Sequence, residues 1–348
     1  MTGKLPVIPP RIFAFETLIP SADQPYNPGV RLLVTGGAGF LGAAFVRFVA
    51  RARPDWQITV IDKLTYAGDL RRLSDVRFHF VHGDILDARL AADVLVDQDA
   101  VVHFAAETHV DRSITRPRDF IQTNVLGTHA LIEGSRLVWE GDKRPFVHIS
   151  TDEVYGPVLK GRATEDWPHR PSSPYSASKV GAEAVVMAYG TTYGMDVRIV
   201  RPCNGYGPFQ FPEKLIPRMT IRALLSKPLP VYGDGTQTRQ WLHAEDIASG
   251  VLTVLEKGRP RTAYNLAPDN ELQNIQIVNF IVKALNADPN LIQHVKDRPG
   301  HDTRYAMDSS KIKGLGWSVS VDLSAGLAET VKWFVQNRPW WEGFADDV

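Results

Sequence analysis

Cysteine is almost missing from this chain: Cys203 is the single one among 348 residues. That excludes an internal disulfide framework and fits a reducing compartment, the cytoplasm. Excess charge of either sign is also missing, with 39 Lys and Arg against 39 Asp and Glu. Nothing therefore argues for nucleic acid or a membrane surface as a partner, and a negatively charged substrate would need a local basic patch. No apolar run approaches the ~18 residues of a membrane span. Pro6, Pro9, Pro10 and Arg11 interrupt the N-terminus where a secretory apolar segment would lie. Internal repeats and low-complexity tracts are lacking, and no motif calls for a metal.

Proline crowds one stretch. Pro6, Pro9, Pro10, Pro20, Pro25 and Pro28 make residues 1–29 an arm rather than a domain. Its role reads as loose packing or as a cover for a subunit contact or an active site. From Val30 onward strands alternate with helices. Apolar strands are expected at 30–34, 58–61, 77–81, 100–104, 146–149 and 197–200. Helical spacing falls at 39–52, 87–97, 118–139 and 174–193. This alternation predicts an α/β fold, a Rossmann-like doubly wound parallel sheet over 30–201. Beyond about residue 202 the pattern breaks into Pro- and Gly-rich loops, so 202–348 reads mainly as a smaller substrate-binding lobe. Pro339-Trp340-Trp341 reads as an edge cover or an interface.

Gly36, Gly39 and Gly42, with Phe40 and Leu41 between the last two, follow the first strand and open the first helix. Glycines at this spacing let the backbone approach a pyrophosphate, and the helix N-terminus supplies free N–H groups and a positive dipole. Asp62 ends the second strand, where a carboxylate accepts both ribose hydroxyls and repels a 2′-phosphate. The expected cofactor is NAD rather than NADP. Lys63 beside it is the one feature that would tolerate that phosphate.

Thr151-Asp152-Glu153 sits at the end of the strand at 146–149, and Tyr175 is followed four positions later by Lys179. A Tyr and a Lys four apart share a helix face, so the ammonium can favour a tyrosinate. The Asp–Glu pair adds one more acid and one more base than a simple dehydrogenase needs. The surplus suggests hydride transfer coupled to loss of water. Adjacent carboxyls in one pocket also push each other's pKa values apart, as an acid and a base working at one pH require. Cys203 reads as a packed side chain and His103 as a core residue.

Longer blocks carry a resemblance. They are Asp62-Lys63-Leu64-Thr65-Tyr66-Ala67-Gly68, Gly83-Asp84-Ile85, and Ala105 through Ser113. Ser150-Thr151-Asp152-Glu153-Val154-Tyr155-Gly156 and Ser173 through Lys179 follow, then Gln210 through Pro217 and Asp297 through Asp302. Over about 31–341 the chain resembles the dTDP-glucose 4,6-dehydratase family of extended short-chain dehydrogenases/reductases. In related decarboxylases the position of Asp152 is typically Ser, and the 4-epimerases lack both carboxylates.

The resemblance implies a reaction and a set of contacts. Tyr175, with Lys179, would take the sugar 4-hydroxyl proton while NAD accepts the C4 hydride. Glu153 would take the C5 proton, Asp152 would protonate the leaving C6 hydroxyl, and the hydride would return to C6. Thr151 would bond the 4-hydroxyl region. Thr65, Gly68, Asp84, Ile85, Ala105 and Ala106 would complete the NAD site. His109 and His301 would line the sugar-nucleotide site, with Asn204, Arg239 and Arg298 at the diphosphate. Lys214, Leu215, Pro230, Tyr232 and Asn265 would enclose the nucleobase. Gly205 and Gln240 depart from the family pattern and are expected on the nucleotide side, so base identity, dTDP or UDP, is the part they touch. Rival functions are a nucleotide-sugar 4-epimerase or decarboxylase and a non-catalytic NAD or sugar-nucleotide sensor. A homodimer through the helices at 118–139 and 174–193 is the family expectation.

Overall fold

A computed structural model describes residues 29–345; residues 1–28 of the proline-rich arm, and with them its covering role, lie outside those described. Seven strands form one sheet in which every pairing is parallel: β1 (Arg31–Thr35), β2 (Gln57–Asp62), β3 (His79–His82), β4 (Ala100–His103), β5 (Phe146–Ile149), β6 (Val197–Pro202) and β7 (Thr262–Leu266). Their spatial order is β7-β6-β5-β4-β1-β2-β3. The direction of winding reverses between β1 and β4, and ligands of such sheets bind at that switch point, beyond the carboxyl ends of the strands.

The apolar strands are buried on both faces because helices cover both. Leu32, Val34, Val60 and Val147 point to one side, against helix α1 (Phe40–Ala52) and a helix at Ala244–Lys257. Leu33, Ile61, Val101 and Phe146 point to the other, against α2 (Ala88–Leu95), α3 (Thr128–Trp139) and α4 (Pro174–Tyr193). Side-chain alternation along each strand thus feeds two separate cores.

Helix ends follow local chemistry. Asp87 caps α2 by accepting N–H bonds from Arg89 and Leu90. Ser173 and Ser176 form a reciprocal capping box at the start of α4, Pro174 takes the first turn, and Gly194 ends the helix in a left-handed conformation at φ 71°. The observed ends of β5 and α4 coincide with the expected ones. β3 starts at His79 rather than Arg77.

Two features depart from the simple alternation. The single helix expected at 118–139 is helical throughout, but Ile121–Gly127 widens into a π-helical turn between Pro117–Phe120 and α3. Asn124 in that turn holds the backbone of Glu107 at both N–H and C=O and donates to Ser178 Oγ of α4. The chain also returns to the sheet after residue 202. β7 pairs with β6, and the Ala244–Lys257 helix packs beside α1. The smaller lobe has its own core, built from α5 (Leu215–Leu224), α6 (Asn274–Leu285) and α7 (Leu323–Gln336), with Ile216, Ile277, Ile281 and Leu327 at its centre.

Candidate active site

A cavity of about 340 Å³ opens above the switch point, running from the glycine loop past Asp62 to Thr151, Tyr175 and Lys214. The loop fits a dinucleotide. Gly36 has φ +68°, and a Cβ there would lie 2.6 Å from Ala105 N; a Cβ at Gly42 would lie 2.2 Å from Gly36 O. These two glycines let the loop close on itself. Gly39 differs: only Gly36 O comes within 4 Å of where its Cβ would be, and as the N-cap of α1 it offers no side-chain cap. The first amides of α1, at Phe40 and Leu41, are thus left for a phosphate.

Asp62 is held in place at both oxygens. Oδ2 accepts from Ala38 N at 2.9 Å and Oδ1 from Leu64 N at 2.8 Å, while burial pushes its pKa up. Gly68 packs so closely that a Cβ would sit 3.0 Å from Asp62 Oδ1, and Thr65 lines the same edge. The Lys63 ammonium is engaged at 2.6 Å by Asp84 Oδ2, so it does not stand free for a 2′-phosphate. Ile85 is buried beside Gly127, and Ala105 and Ala106 line the cavity.

The catalytic group comes together at the ends of β5 and α4. Thr151 caps a short 3-10 turn, Asp152–Tyr155, accepting the Glu153 N–H at 3.3 Å and donating to Asp152 Oδ1 at 3.1 Å. Thr151, Asp152, Tyr175 and Lys179 are all buried. Burial and the Glu153 charge push Asp152 up to about 7. Burial also raises Glu153, but the cations of Arg298, Arg239 and Lys214 draw it back. Both carboxyls are thus raised, but the leading charge at Asp152 is the Glu153 anion, with Arg239 opposing it, whereas three cations outrank Asp302 at Glu153. Tyr175 is pushed up by burial and by both carboxylates, opposed by a hydrogen bond with Thr151. Lys179 does not bond the Tyr175 hydroxyl. Its Nζ donates to Ile149 O at 2.6 Å and lies 3.4 Å from His148 Nε2, and burial lowers its pKa to about 8.

The expected substrate residues divide into two groups, those that line the cavity and those that stand beyond its lining. Asn204 and Lys214 line the cavity; Asn204 Oδ1 is buried without a partner, and Lys214 Nζ donates to Thr108 O. Leu215 follows as the first residue of α5. A second group forms a wall of paired side chains. Arg298 donates to Asp111 Oδ1 at 3.0 Å, Tyr232 donates to Asp111 Oδ2 at 3.0 Å, and His301 Nδ1 meets Asp297 Oδ1 at 2.6 Å. Pro230 belongs to the same strand as Tyr232. His109 caps Val110–Thr115, accepting the Arg112 N–H, and burial drops its pKa to about 4. Arg239 donates to Thr238 O and Asp302 O with its guanidinium over the Tyr305 ring. Arg298 Nε is buried and unpaired, a donor suited to an anionic oxygen.

Three expectations are corrected. Asn265 does not face a nucleobase: it is fully buried, donating to Ala163 O and Asp308 O and accepting from the Tyr155 hydroxyl, so its amide is spent tying loops to β7. Gln240 is not on the nucleotide side either; it bonds the backbone of Pro268 and Met307. Gly205 lies at the cofactor end, where a Cβ would come 2.9 Å from Ile247 Cδ1 and 3.2 Å from Leu41 Cδ2. A bulkier residue there would press on α1.

Some site residues escaped the sequence reading. Glu213 is a hub: its carboxylate accepts from the Tyr66 hydroxyl at 3.0 Å and lies 3.5 Å from His109 Nε2 and 3.6 Å from Arg112, which stacks on Tyr66. Its only signal was adjacency to Lys214. Asp111, Asp302 and Tyr305 were hidden because their partners are distant in sequence. Cys203 and His103 are buried as expected, the thiol pushed up and the imidazole held near 3 by burial.

A family model described as GDP-mannose 4,6 dehydratase matches residues 33–330. The dTDP-glucose 4,6-dehydratase of Streptomyces niveus is 44% identical, over 90% of this chain and 95% of its own length. That of Escherichia coli is 43% identical, over 91% and 97%. Among solved structures, a dTDP-glucose 4,6-dehydratase of Streptomyces venezuelae with NAD and TYD bound superposes with a TM-score of 0.87 at 47% identity, covering 90% of this chain and 99% of that one. A UDP-glucose 4-epimerase of Thermotoga maritima reaches a TM-score of 0.82 at 27% identity, covering 88% and 99%.

Proposed function

This chain belongs to the dTDP-glucose 4,6-dehydratase family, and on that premise we propose that it is an NAD-dependent hydro-lyase converting dTDP-glucose to dTDP-4-keto-6-deoxyglucose. The observation that carries the reading is the Asp152–Glu153 pair on one capped turn, lining the same cavity as Tyr175, with an anion leading at Asp152 and cations leading at Glu153. A 4-epimerase needs neither carboxylate, and a sensor needs no split between them.

Bound NAD would supply a reversible hydride acceptor. Gly36, Gly39 and Gly42 with the start of α1 would hold its pyrophosphate, Asp62 its ribose, and Asp84, Ile85, Ala105 and Ala106 the rest of its path. Tyr175 takes the proton of the sugar 4-hydroxyl; the Thr151 hydrogen bond and the Lys179 charge offset the burial that otherwise keeps it neutral. Once C4 is a ketone, the C5 proton is acidic, and Glu153, held toward its anion by three cations, removes it. Asp152, protonated up to about pH 7, gives its proton to the departing C6 hydroxyl. Arg298, Arg239 and Asn204 meet the diphosphate, and Lys214, Leu215, Pro230 and Tyr232 lie in the segments that enclose the nucleobase. His109 and His301 line the sugar end.

The thymine preference rests on the family and on the wall around Pro230 and Tyr232. With Gln240 and Gly205 placed elsewhere, neither departure favours a UDP-sugar. A methyl in an apolar pocket is worth ~1–3 kcal/mol, so a preference for dTDP-glucose of at least roughly tenfold in kcat/KM is expected. The test is turnover of dTDP-glucose deuterated at C4, in competition with UDP-glucose. Deuterium should reappear at C6 of a product lighter by one water. Unchanged substrate mass would defeat the dehydratase reading, and equal use of UDP-glucose would defeat the dTDP assignment alone. A cytoplasmic homodimer joined through Pro117–Trp139 and Pro174–Tyr193 belongs to the same reading; light scattering that returned a monomer would remove the dimer.

A further inference from the structure

Behind the catalytic lysine lies a buried imidazole that the proposed reaction does not use. His148, on β5, is 0% exposed. Its Nε2 is 3.4 Å from Lys179 Nζ, and the same ammonium donates to Ile149 O at 2.6 Å. An ammonium has three N–H bonds and accepts nothing. Nε2 must then be the acceptor, which places the ring proton on Nδ1. That atom is buried without a partner, so the fold tolerates an unsatisfied N–H to keep Nε2 bare.

The neighbouring imidazole is arranged differently. Thr128 Oγ1 spends its proton on Asn124 O at 2.6 Å, so it accepts from His103 Nε2 at 2.9 Å. His103 Nδ1 is left to accept the Thr35 hydroxyl at 2.6 Å. His103 is thus satisfied at both nitrogens and its ring, 5.2 Å from that of His148, donates nothing to it. The remaining ionisable group acting on Lys179 is Glu183 on α4, itself bound to Arg201 on β6; Tyr175, one turn before the lysine, makes no bond to it. None of these offers the ammonium a hydrogen bond in the structure.

We propose that His148 is a positioning residue for Lys179: its bare Nε2 takes one N–H, Ile149 O takes a second, and the third is thereby fixed toward the dinucleotide cleft. The inference rests on the reading of Tyr175 and Lys179 as the redox pair. It also gives the buried ammonium an acceptor without adding a second charge. A protonated imidazole would repel the lysine, and burial together with Lys179 keeps His148 neutral.

Two measurements test it. In NAD-loaded protein with ¹⁵N-labelled histidine, NMR should find His148 neutral with its proton on Nδ1; a proton on Nε2 overturns the proposal. This needs no turnover, so it stands apart from any failure of the dehydratase reading. Second, His148→Phe removes the acceptor and His148→Gln keeps one. His148→Phe should lower kcat by about tenfold to a hundredfold, as misplacement of a catalytic group does. It should leave the KM for dTDP-glucose near its original value and shift to lower pH the second alkaline loss of kcat, the one beyond the Asp152 step, because a buried ammonium that has lost an acceptor sheds its proton sooner. His148→Gln should recover most of both. A folded His148→Phe enzyme with unchanged kcat and pH profile would overturn the proposal; should that variant not fold, the tautomer decides.

Discussion

The floor of the cavity and the wall of paired side chains that stands beyond its lining are built on different principles. On the floor, functional groups are fixed by backbone near the ends of parallel strands: Asp62 by the amides of Ala38 and Leu64, Lys179 by the carbonyl of Ile149, Glu153 by the turn that Thr151 caps. On the wall, polar side chains fix one another across long stretches of chain. Arg298 holds Asp111 across 187 residues and Tyr232 holds it across 121. Backbone contacts are set by the sheet and do not depend on occupancy. Side-chain pairs are exchangeable, so the wall can trade an internal partner for a ligand oxygen while the floor stays in place.

The sharpest way to break this comparison is to neutralise the floor. Glu153→Gln should cut dehydration by ~10²–10⁴-fold and abolish solvent exchange at C5, with some C4 oxidation left, read by mass and by deuterium incorporation. Asp152→Asn should slow water loss while C5 exchange persists. In the unsubstituted enzyme the Asp152 acid form is lost as pH rises through about 7 and the Glu153 base form as pH falls through its raised value. A bell is expected in kcat, with its alkaline limb near pH 7. The same shift has a stability side. Asp152 stays protonated when folded above its ordinary 3.8, so it favours folding less and less as pH rises from that value to about 7. Asp152→Asn escapes this loss and should be the more stable protein at pH 8, by on the order of 1–3 kcal/mol in denaturant melts. Near-full activity of both variants would sink the acid–base assignment.

A smaller effect is expected at the wall. Arg298→Ala removes a diphosphate donor and the leading cation beside Glu153, so kcat/KM should fall about tenfold to a hundredfold. The acid limb should also move upward, since Glu153 loses a charge that lowers its pKa. An acid limb that stays in place would mean the wall does not tune the floor. Smaller still, Asp62→Ala should weaken NAD about tenfold and narrow the margin over NADP, measured by calorimetry. Tighter NADP binding by the unsubstituted chain would reverse the cofactor reading. Last, Gln240→Ala should cost about 1–2 kcal/mol of stability by freeing the carbonyls of Pro268 and Met307, yet leave the dTDP-to-UDP preference within about twofold. A changed preference would return Gln240 to the nucleotide side.

The same division explains what could be read from residues alone. The alternation of strands and helices, the ends of β5 and α4, the glycine loop, Asp62 and the Thr-Asp-Glu and Tyr–Lys groups all rest on periodicity, capping or fixed spacing along one layer. Asn265 sits on β7, a strand whose membership of the main sheet no local pattern announces, and its amide turned out to serve the loops around it. Gln240 and Gly205 were misplaced because neither a loop nor a short strand has a period that tells which way a side chain points. Asp111 and Glu213 were missed because their partners are far away in the chain. The π-helical turn carrying Asn124 looks in sequence like any other turn of helix.

Arg72 shows how far apart in time the parts of one site are made. Its buried guanidinium donates to Ala38 O beside the glycine loop, to Ala67 O beside Asp62's loop and to Phe209 O, and lies under the Trp340 ring, while Arg71 donates to Trp340 O across 269 residues. During synthesis the glycine loop leaves the ribosome long before the tryptophan that closes over this brace. Until then the arginine lacks the ring that lies over it, although its bonds to Ala38 O and Ala67 O join residues made early. A nascent chain thus carries the whole dinucleotide motif before the aromatic cover of its brace exists.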